Sequence, residues 1–364
     1  EQVAAQAQSA GVERRELIEN IDIGGPAMLR SGAKNYESVA VITDPADYDA
    51  VAGELEAAGE VSRATRWRLA QKAFQRTADY DAAIAGTLGV MAEGEPEETI
   101  QLGNQELPLR LRLTAERRQV LRYGENPHQR AAVYTDGGAA GGVAQARILQ
   151  GKELSYNNLV DLDAAWELVN ELEQPAVAII QPPNPAGCAM SAMGLRLTYE
   201  QALECDPISA YGGVIGLNRE LDGETAEAIA SLFVECIAAP RFSSEARQRL
   251  AVKKNLRLVE VEPTRPRPRL RSISGGWLLQ SEDDRLWSEE GWRVVTRRQP
   301  DAAQERGLRF GWAVAKHVKS NAIVFARATD GGGQTLAVGA GQMSRVDAVK
   351  LAAMKAQLPL AGAA

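Results

Sequence analysis

Residues 176–191 read AVAIIQPPNPAGCAMS, and they decide the fold class. The run of small and β-branched apolar residues at 176–180 predicts a buried strand, which ends abruptly at Gln181-Pro182-Pro183. In an α/β protein the end of such a strand is where the chemistry tends to lie. This strand end carries two prolines and no titratable side chain, so its role has to be explained from the rest of the chain.

The other periodic segments indicate an α/β architecture. Strands are predicted around 131–136 and 212–218, and helical patterns at 160–173 and from 225 onward alternate with them. The last block, at 307–357, predicts a helix, a strand, a glycine-rich hairpin, a second strand and a final helix.

The first 90 residues form a separate block. Gly24-Gly25-Pro26 predicts the start of a helix, SVAVITDP at 38–45 predicts a short strand, and 66–88 predicts one or two helices. The polar segment at 93–108 contains Pro and Gly and predicts a domain boundary. At 261–271 Pro alternates with Arg, a pattern more typical of an extended linker or edge strand than of an anion site.

Composition limits the classes of function. The 364 residues are 45% hydrophobic and 24% charged, as in globular proteins, and a net charge of −7 argues against a nucleic-acid partner. No apolar run or signal-peptide pattern indicates a membrane protein. The three separated cysteines suit a reduced, cytoplasmic protein without a zinc site or disulfide framework, and two histidines make a His-rich metal site improbable. The first residue is Glu, which indicates a fragment or a processed product.

Common nucleotide and hydrolase motifs are missing. Gly151-Lys152 lacks both the earlier Gly and the following Ser or Thr of a phosphate loop. No GxGxxG follows a strand and no GxSxG nucleophile elbow is present. Four stretches dense in polar residues are more informative, and they lie at 121–134, 152–166, 204–219 and 315–326. Each of them taken alone is more typical of helix caps and turns. Together they favour one shared polar site.

These stretches, with one further motif, resemble a family. They are RYGENPHQ (122–129), KELSYNNLVDLDAAW (152–166), ECDPISAYGG (204–213), VKSNAIVFA (318–326) and GAGQMSRVDAVKLA (339–352). In order and spacing they are similar to the bifunctional purine-biosynthesis family that combines AICAR transformylase with IMP cyclohydrolase. The resemblance implies formyl transfer from the co-substrate 10-formyltetrahydrofolate to AICAR, which gives FAICAR, and cyclisation of FAICAR to IMP.

The resemblance also implies a domain plan. Residues 1–90 correspond to the end of a methylglyoxal-synthase-like cyclohydrolase domain with connecting helices, and 91–106 to a linker. Residues 107–262 and 263–364 correspond to two cytidine-deaminase-like transformylase halves, the second truncated. The family works as an intertwined homodimer without zinc, and a structural monovalent cation is a further expectation. Segments that the family has on both sides of this sequence have no counterpart here, which a fragment explains most simply.

The resemblance also implies individual site residues. In the cyclohydrolase part Asp22 and Lys34 match family residues. In the transformylase part Asn321 matches an active-site Asn flanked by Lys316, His317 and Ser320, where His317 is more typical of a satisfied helix-end histidine than of a catalytic substitute. The residues that match substrate-binding positions are Arg122 and Tyr123 for the nucleotide, Tyr211 and Gly212 for the folate and nucleotide wall, Glu235 facing folate, and Arg345.

The opening stretch departs from the family at one point. There the strand runs into Lys-His-x-Asn-Pro-Cys-Gly, and the Lys-His positions are occupied here by Gln181 and Pro182. An imidazole suits proton transfer near neutral pH, whereas a carboxamide carries no proton and proline offers neither donor nor base. We therefore expect an impaired transformylase. The alternatives are a non-catalytic relative that binds AICAR or folate, or serves assembly, and, less favoured, a generic α/β nucleotide-binding protein.

Overall fold

The computed structural model describes residues 18–89, 101–102, 105–107, 111, 113–135, 141–264, 267–287 and 291–364. The chain divides into two compact units, Glu1–Leu109 and Arg110–Ala364. The predicted linker at 91–106 lies largely outside the described residues. Within those ranges, no helix combines the length and the apolarity that a membrane crossing requires.

The first unit is built mainly from helices. They are α1 (Gly24–Lys34), α2 (Tyr48–Ala58) and α3 (Arg63–Gly89), and two small cores lie around Ala73 and Leu69. The helix start at Gly24-Gly25-Pro26 is confirmed, and 66–88 form one helix. Two short strands, β1 (Gln101–Leu102) and β2 (Gln105–Glu106), pair with each other.

The predicted strand at 38–45 is wrong. These residues join no ladder, and Asp44-Pro45 instead opens a 3₁₀ turn, Pro45–Asp47, in which the Asp44 carboxylate accepts a hydrogen bond from the amide of Ala46. An extended segment becomes a strand only when a neighbour supplies hydrogen-bond partners, and no described strand lies alongside this one.

The second unit confirms the mixed α/β prediction. Its elements are β3 (Glu116–Leu121), β4 (Ala131–Thr135), β5 (Arg147–Gln150), α4 (Tyr156–Asn170), β6 (Ala176–Gln181), β7 (Asn184–Ser191), α5 (Leu195–Cys205), β8 (Val214–Leu217), α6 (Gly223–Ala230), β9 (Cys236–Ala239), α7 (Ser244–Leu250), β10 (Arg257–Glu260), β11 (Arg269–Ile273), β12 (Gly276–Gln280), α8 (Ala302–Lys316), β13 (Ile323–Thr329), β14 (Gly332–Gly339) and α9 (Arg345–Lys355). The predicted order of the last block is confirmed.

Eight strands form one mixed sheet in the order β13-β14-β7-β6-β8-β9-β10-β5. β8, β9 and β10 are parallel, and the other neighbours are antiparallel. β13 and β14 follow residue 262 in the chain yet join the sheet through β7, so strands from both sides of the predicted 262/263 boundary share one sheet. The β3–β4 and β11–β12 pairs stand apart as two-stranded sheets.

The central sheet separates two hydrophobic cores. Along β6, Ala176, Ala178 and Ile180 belong to one core, whereas Val177 and Ile179 belong to the other. This alternation is the period of two of a strand buried on both faces. Side chains of α4 and α8 fill the first core, and those of α5, α6 and α7 fill the second.

Two glycines let helices approach the sheet closely. A Cβ atom on Gly187 of β7 would lie 1.9 Å from the carbonyl oxygen of Ala202 in α5. A Cβ on Gly339 of β14 would lie 2.1 Å from the carbonyl oxygen of Ala348 in α9. Both distances are far below van der Waals contact, so only glycine fits at these positions.

Candidate functional site

One edge of the eight-stranded sheet gathers most of the residues singled out by sequence. The registers place the carboxyl ends of β6 and β14 there, together with the amino ends of β7, β8, β9, β10 and β13. We call this group the strand-edge site, and its members are Gln181, Pro182, Asn184, Tyr211, Gly212, Glu235 and Asn321. Hydrogen bonds join Gln181 to the Tyr211 backbone and Asn184 to the Lys319 amide along this edge.

Gln181 and Pro182 form the centre of this edge. Gln181 pairs with Asn184 across a two-residue hairpin turn made of Pro182 and Pro183. The Gln181 Nε2 atom donates a hydrogen bond of 2.8 Å to the carbonyl oxygen of Tyr211. The two prolines have no backbone N–H, so the turn offers no backbone donors. The only polar side chain at 181–183 is the carboxamide of Gln181, which is neither an acid nor a base.

An aromatic pair lies beside Gln181. The Tyr211 and Phe233 ring centroids are 5.2 Å apart, and both residues expose about half of their surface or more. Gly212 lies between them in a left-handed conformation (φ 77°), and its amide donates 2.8 Å to the carbonyl oxygen of Phe233. Sequence reasoning missed Phe233, although its place between a helix and a strand, two residues before Glu235, was a usable signal.

Glu235 is the centre of a polar cluster at the start of β9. Its Oε2 atom accepts a 2.7 Å hydrogen bond from Asn158 Nδ2 and lies 3.6 Å from Arg257 Nη1. Burial, together with the nearby charge of Glu235, raises the pKa of Asp161 to about 6. Asn158 also closes the capping box that starts α4, with Ser155 as its partner. Arg257 had not been singled out, because only the β9–β10 pairing brings it here.

Asn321 holds the far end of the strand edge. Its Nδ2 atom donates to the carbonyl oxygens of Gln342 (3.0 Å) and Met343 (3.1 Å), which fixes the loop that leads into α9. The neighbouring Lys319 amide donates 2.9 Å to Asn184 Oδ1. Arg345 is the first residue of α9, is exposed, and makes no side-chain hydrogen bond or ion pair with any residue in the described ranges.

Lys316 and His317 have structural partners. Lys316 Nζ lies 2.8 Å from Glu171 Oε2, and His317 Nε2 lies 3.2 Å from the same oxygen. Burial disfavours the Glu171 carboxylate, but hydrogen bonds from His317 and Lys316 outweigh that effect and lower its pKa. His317 closes α8, which agrees with the helix-end interpretation. Ser320, the other flanking residue, is exposed.

Arg122 and Tyr123 lie in a different part of the second unit. They follow β3 in a turn closed by Gln129, and the Arg122 guanidinium lies 5.0 Å from the centre of the Tyr123 ring. Among the described residues, no hydrogen bond or ion pair links either of them to the strand-edge site. The structure thus brings three of the four polar stretches to one edge and leaves 122–129 separate.

Asp22 and Lys34 stand at opposite ends of α1 in the first unit. Asp22 Oδ1 accepts a 3.0 Å hydrogen bond from the Gly25 amide, and the Asp22 amide donates 2.8 Å to the Tyr80 hydroxyl. Lys34 is the last residue of the helix. An eleven-residue helix is about 16 Å long, so these two side chains start far apart.

The described residues bring no group of three or more His, Cys, Asp or Glu side chains together as a candidate metal site. The three cysteines are buried and unpaired, and burial raises the pKa of the Cys236 thiol to about 12.

The fold and the strand-edge residues define an α/β protein with a group of polar residues at one edge of a mixed sheet. Residues 32–355 match the sequence profile described as the AICARFT/IMPCHase bienzyme. The chain belongs to this family, which confirms the resemblance seen in its motifs.

Individual relatives agree. Proteins named bifunctional purine biosynthesis protein PurH are 48% identical to the chain in Desulfitobacterium hafniense (strain DSM 10664 / DCB-2), Roseobacter denitrificans and Myxococcus xanthus. The alignments cover 94%, 97% and 99% of this chain, and 65%, 65% and 69% of those relatives. The chain therefore spans about two thirds of the length of the proteins it matches.

Proposed function

We propose that this chain carries an AICAR-transformylase type of site at the strand edge, weakened in formyl transfer by Gln181 and Pro182. The observation that carries the proposal is the strand end itself. There a carboxamide bound to a neighbouring carbonyl and a proline stand at the positions where the resemblance implies the family's Lys-His pair.

The chemistry explains why that pair matters. In formyl transfer the 5-amine of AICAR attacks the formyl carbon of 10-formyltetrahydrofolate, the bond from that carbon to N10 breaks, the amine loses a proton and N10 gains one. Gln181 donates a hydrogen bond but carries no proton to exchange, and Pro182 does neither. Loss of a general acid–base group typically lowers the rate by about 10²–10⁴-fold.

Another acid–base group would have to replace the pair within reach of the reacting amine. The pKa of Asp161 is raised to about 6, but Asp161 lies on α4, where its charge interacts with that of Glu235 at the start of β9. β9 is two strands from β6, which is about 10 Å at ordinary strand spacing. His317 is held by Glu171. Neither group is positioned to take the proton at Gln181.

Substrate binding does not need the lost pair. We propose that Tyr211, Gly212 and Glu235 line the folate side, that Asn321 lies near the reacting amine, and that Arg345 is a further basic residue of the site. The exposed Tyr211–Phe233 rings support this assignment because flat heterocycles stack on such surfaces. Arg122 and Tyr123 lie apart from the strand edge within one chain, so we propose that they hold the nucleotide at a site that a second subunit completes. The alternative, a relative that binds AICAR or folate without turnover, uses the same contacts.

Two measurements on the chain test the proposal. AICAR titration by calorimetry is expected to show binding, and a formyl-transfer assay with 10-formyltetrahydrofolate is expected to show a rate at least about 100-fold below that of a Lys-His relative. Binding without any transfer favours the non-catalytic alternative. No AICAR binding at all would contradict the proposed site.

We further propose that 1–90 belongs to a cyclohydrolase domain and its connecting helices, that 91–106 is a linker, and that 107–262 and 263–364 belong to the two transformylase halves. Because Asp22 caps α1 and Lys34 ends it, these residues alone are expected to close no FAICAR ring. IMP formation from FAICAR above the buffer control would contradict this. A structural monovalent cation stays a prediction of the resemblance.

We also propose a homodimer. The β11–β12 hairpin supports it, because Ile273, Trp277 and Leu278 expose about half of their surface on an element that pairs with no other strand in the described ranges. A two-stranded hairpin is marginal without packing against something else. A monomeric mass by light scattering at micromolar concentration would count against the homodimer.

A further inference from the structure

A cavity lies at the edge of the sheet opposite the strand-edge site. It measures about 820 Å³ and lies outside the carboxyl ends of β9 and β10, beside the first residue of β5, Arg147. A lobe of about 450 Å³ adjoins it and shares Arg147, Glu260 and Glu262. We call the two together the carboxyl-edge cavity. The crevice outside the carboxyl ends of parallel strands is where open α/β sheets most often bind ligands.

Three arginines line this cavity, but only one of them is neutralised. Arg147 Nη2 lies 2.5 Å from Glu260 Oε1. The guanidinium groups of Arg241 and Arg247 form no hydrogen bond or ion pair with any part of the chain that the structure describes. By contrast Arg249, two residues further along α7, pairs with Glu227 at 2.5 Å. The two arginines without a partner are therefore those that line the cavity, whereas the neighbouring arginine of α7 outside the cavity is paired.

The side of the cavity with Arg241 and Arg247 favours a phosphate. Ser244 lies between these arginines in the chain and adds a hydroxyl that has no partner among the described residues. Two guanidinium groups and a hydroxyl present hydrogen-bond donors in excess of acceptors, and they match the charge and the oxygens of a phosphate better than those of a single carboxylate. The volume is several times what a phosphate fills, which leaves room for an attached body.

Acceptors complete the lining. The carboxylates of Glu220, after β8, and of Glu262, after β10, line the same cavity and have no hydrogen bond or ion pair within the described ranges. Carboxylates repel a second anionic group, whereas they accept hydrogen bonds from hydroxyls. The rest of the ligand is therefore expected to be neutral and rich in hydroxyl groups.

We propose that the carboxyl-edge cavity binds a small phosphorylated polyol, a sugar phosphate being the simplest example, with the phosphate on Arg241 and Arg247 and the hydroxyls on Glu220 and Glu262. This site is separate from the strand-edge site because the two lie at opposite ends of the same strands. It needs neither AICAR nor folate, and it does not depend on the proposed function.

Calorimetric titration of the whole chain with ribose 5-phosphate, inorganic phosphate and ribose tests the proposal. Ribose 5-phosphate is expected to bind more tightly than either part alone. In the double variant Arg241→Gln, Arg247→Gln the affinity of one site for ribose 5-phosphate is expected to fall by at least about tenfold. Arg249→Gln is the matched control and is expected to leave that affinity unchanged. Equal melting temperatures for the variants show that they are folded.

A further variant separates the two halves of the cavity. Glu262→Gln is expected to reduce the advantage of ribose 5-phosphate over inorganic phosphate and to leave phosphate binding intact. Failure of the unaltered chain to bind ribose 5-phosphate would overturn the proposal. So would full affinity in the double arginine variant, because the phosphate would then bind elsewhere, such as at the strand edge.

Discussion

The carboxamide of Gln181 is tied to the backbone of Tyr211 by a 2.8 Å hydrogen bond from Nε2 to the carbonyl oxygen. The bond joins the end of β6 to the loop before β8, and it orients the one polar side chain that this strand end retains. Gln181 therefore serves as a structural link between the β6–β7 turn and the loop before β8.

Restoring the pair should restore chemistry more than binding. The double change Gln181→Lys, Pro182→His is expected to raise formyl transfer by about 10²–10⁴-fold, because it supplies an ammonium and an imidazole. AICAR affinity is expected to change little. Single-turnover rates and calorimetry are compared in this chain and in a chimera that continues with the C-terminal segment of the Desulfitobacterium hafniense relative. If the unmodified Gln-Pro chimera already reaches the Lys-His rate, the pair is dispensable and the mechanism is wrong.

Asp161→Asn should stabilise the protein at neutral pH. The folded-state pKa of Asp161, about 6, lies above the usual value of 3.8, so its ionisation between these pH values is a loss of folding free energy. The substitution is expected to add roughly 2–3 kcal/mol at pH 7.5, and the gain is expected to disappear below about pH 4. Urea unfolding at several pH values measures it. Asp81→Asn, on the exposed surface of α3, is the control, and an equal effect there would refute the assignment.

Glu171→Gln should show the opposite pH dependence. The folded-state pKa of Glu171 is lowered, so its contribution to stability is present at neutral pH and is lost as the pH falls through that lowered pKa. A destabilisation of about 2 kcal/mol is expected at pH 7, because two charge-assisted hydrogen bonds become weaker. The difference from the unaltered chain is expected to shrink toward pH 3 in denaturant titrations. A difference that stays constant with pH would show that the carboxylate charge is not what Lys316 and His317 need.

Gly339→Ala should loosen the attachment of α9 to the sheet. The added Cβ would meet the carbonyl oxygen of Ala348 at 2.1 Å and the amide nitrogen of Ala352 at 2.9 Å, so the helix has to move. We expect a loss of about 2–3 kcal/mol in unfolding free energy. Gly53→Ala, in α2 with open space around it, is the matched control and is expected to be neutral or slightly stabilising. Equal stability of the two variants would contradict the close packing of α9 on β14.

Much of the secondary structure could be predicted from local pattern. The apolar run at 176–180, the helix that begins after Ser155, and the helix–strand–hairpin–strand–helix order of the last block follow from periodicity, capping residues and glycines. Those signals involve interactions within a few residues, which the sequence displays directly. The segment 38–45 shows the limit of such signals. Its β-branched residues favour an extended backbone, but a strand also needs a neighbouring strand, which local pattern does not reveal.

The strand-edge site was likewise predictable only in part from the sequence. The residue types can be read directly from the chain, including the absence of any titratable group at Gln181-Pro182-Pro183, because acid–base chemistry belongs to the side chain itself. Which of these side chains meet depends on the folded arrangement of strands and helices. The order of the sheet brings Arg257 to Glu235 and Asn184 to Lys319, whereas Arg122 stays apart. The ends of α4 and α8 bring Glu171 to His317, 146 positions away, because packed strands and helices join residues that are distant in the chain.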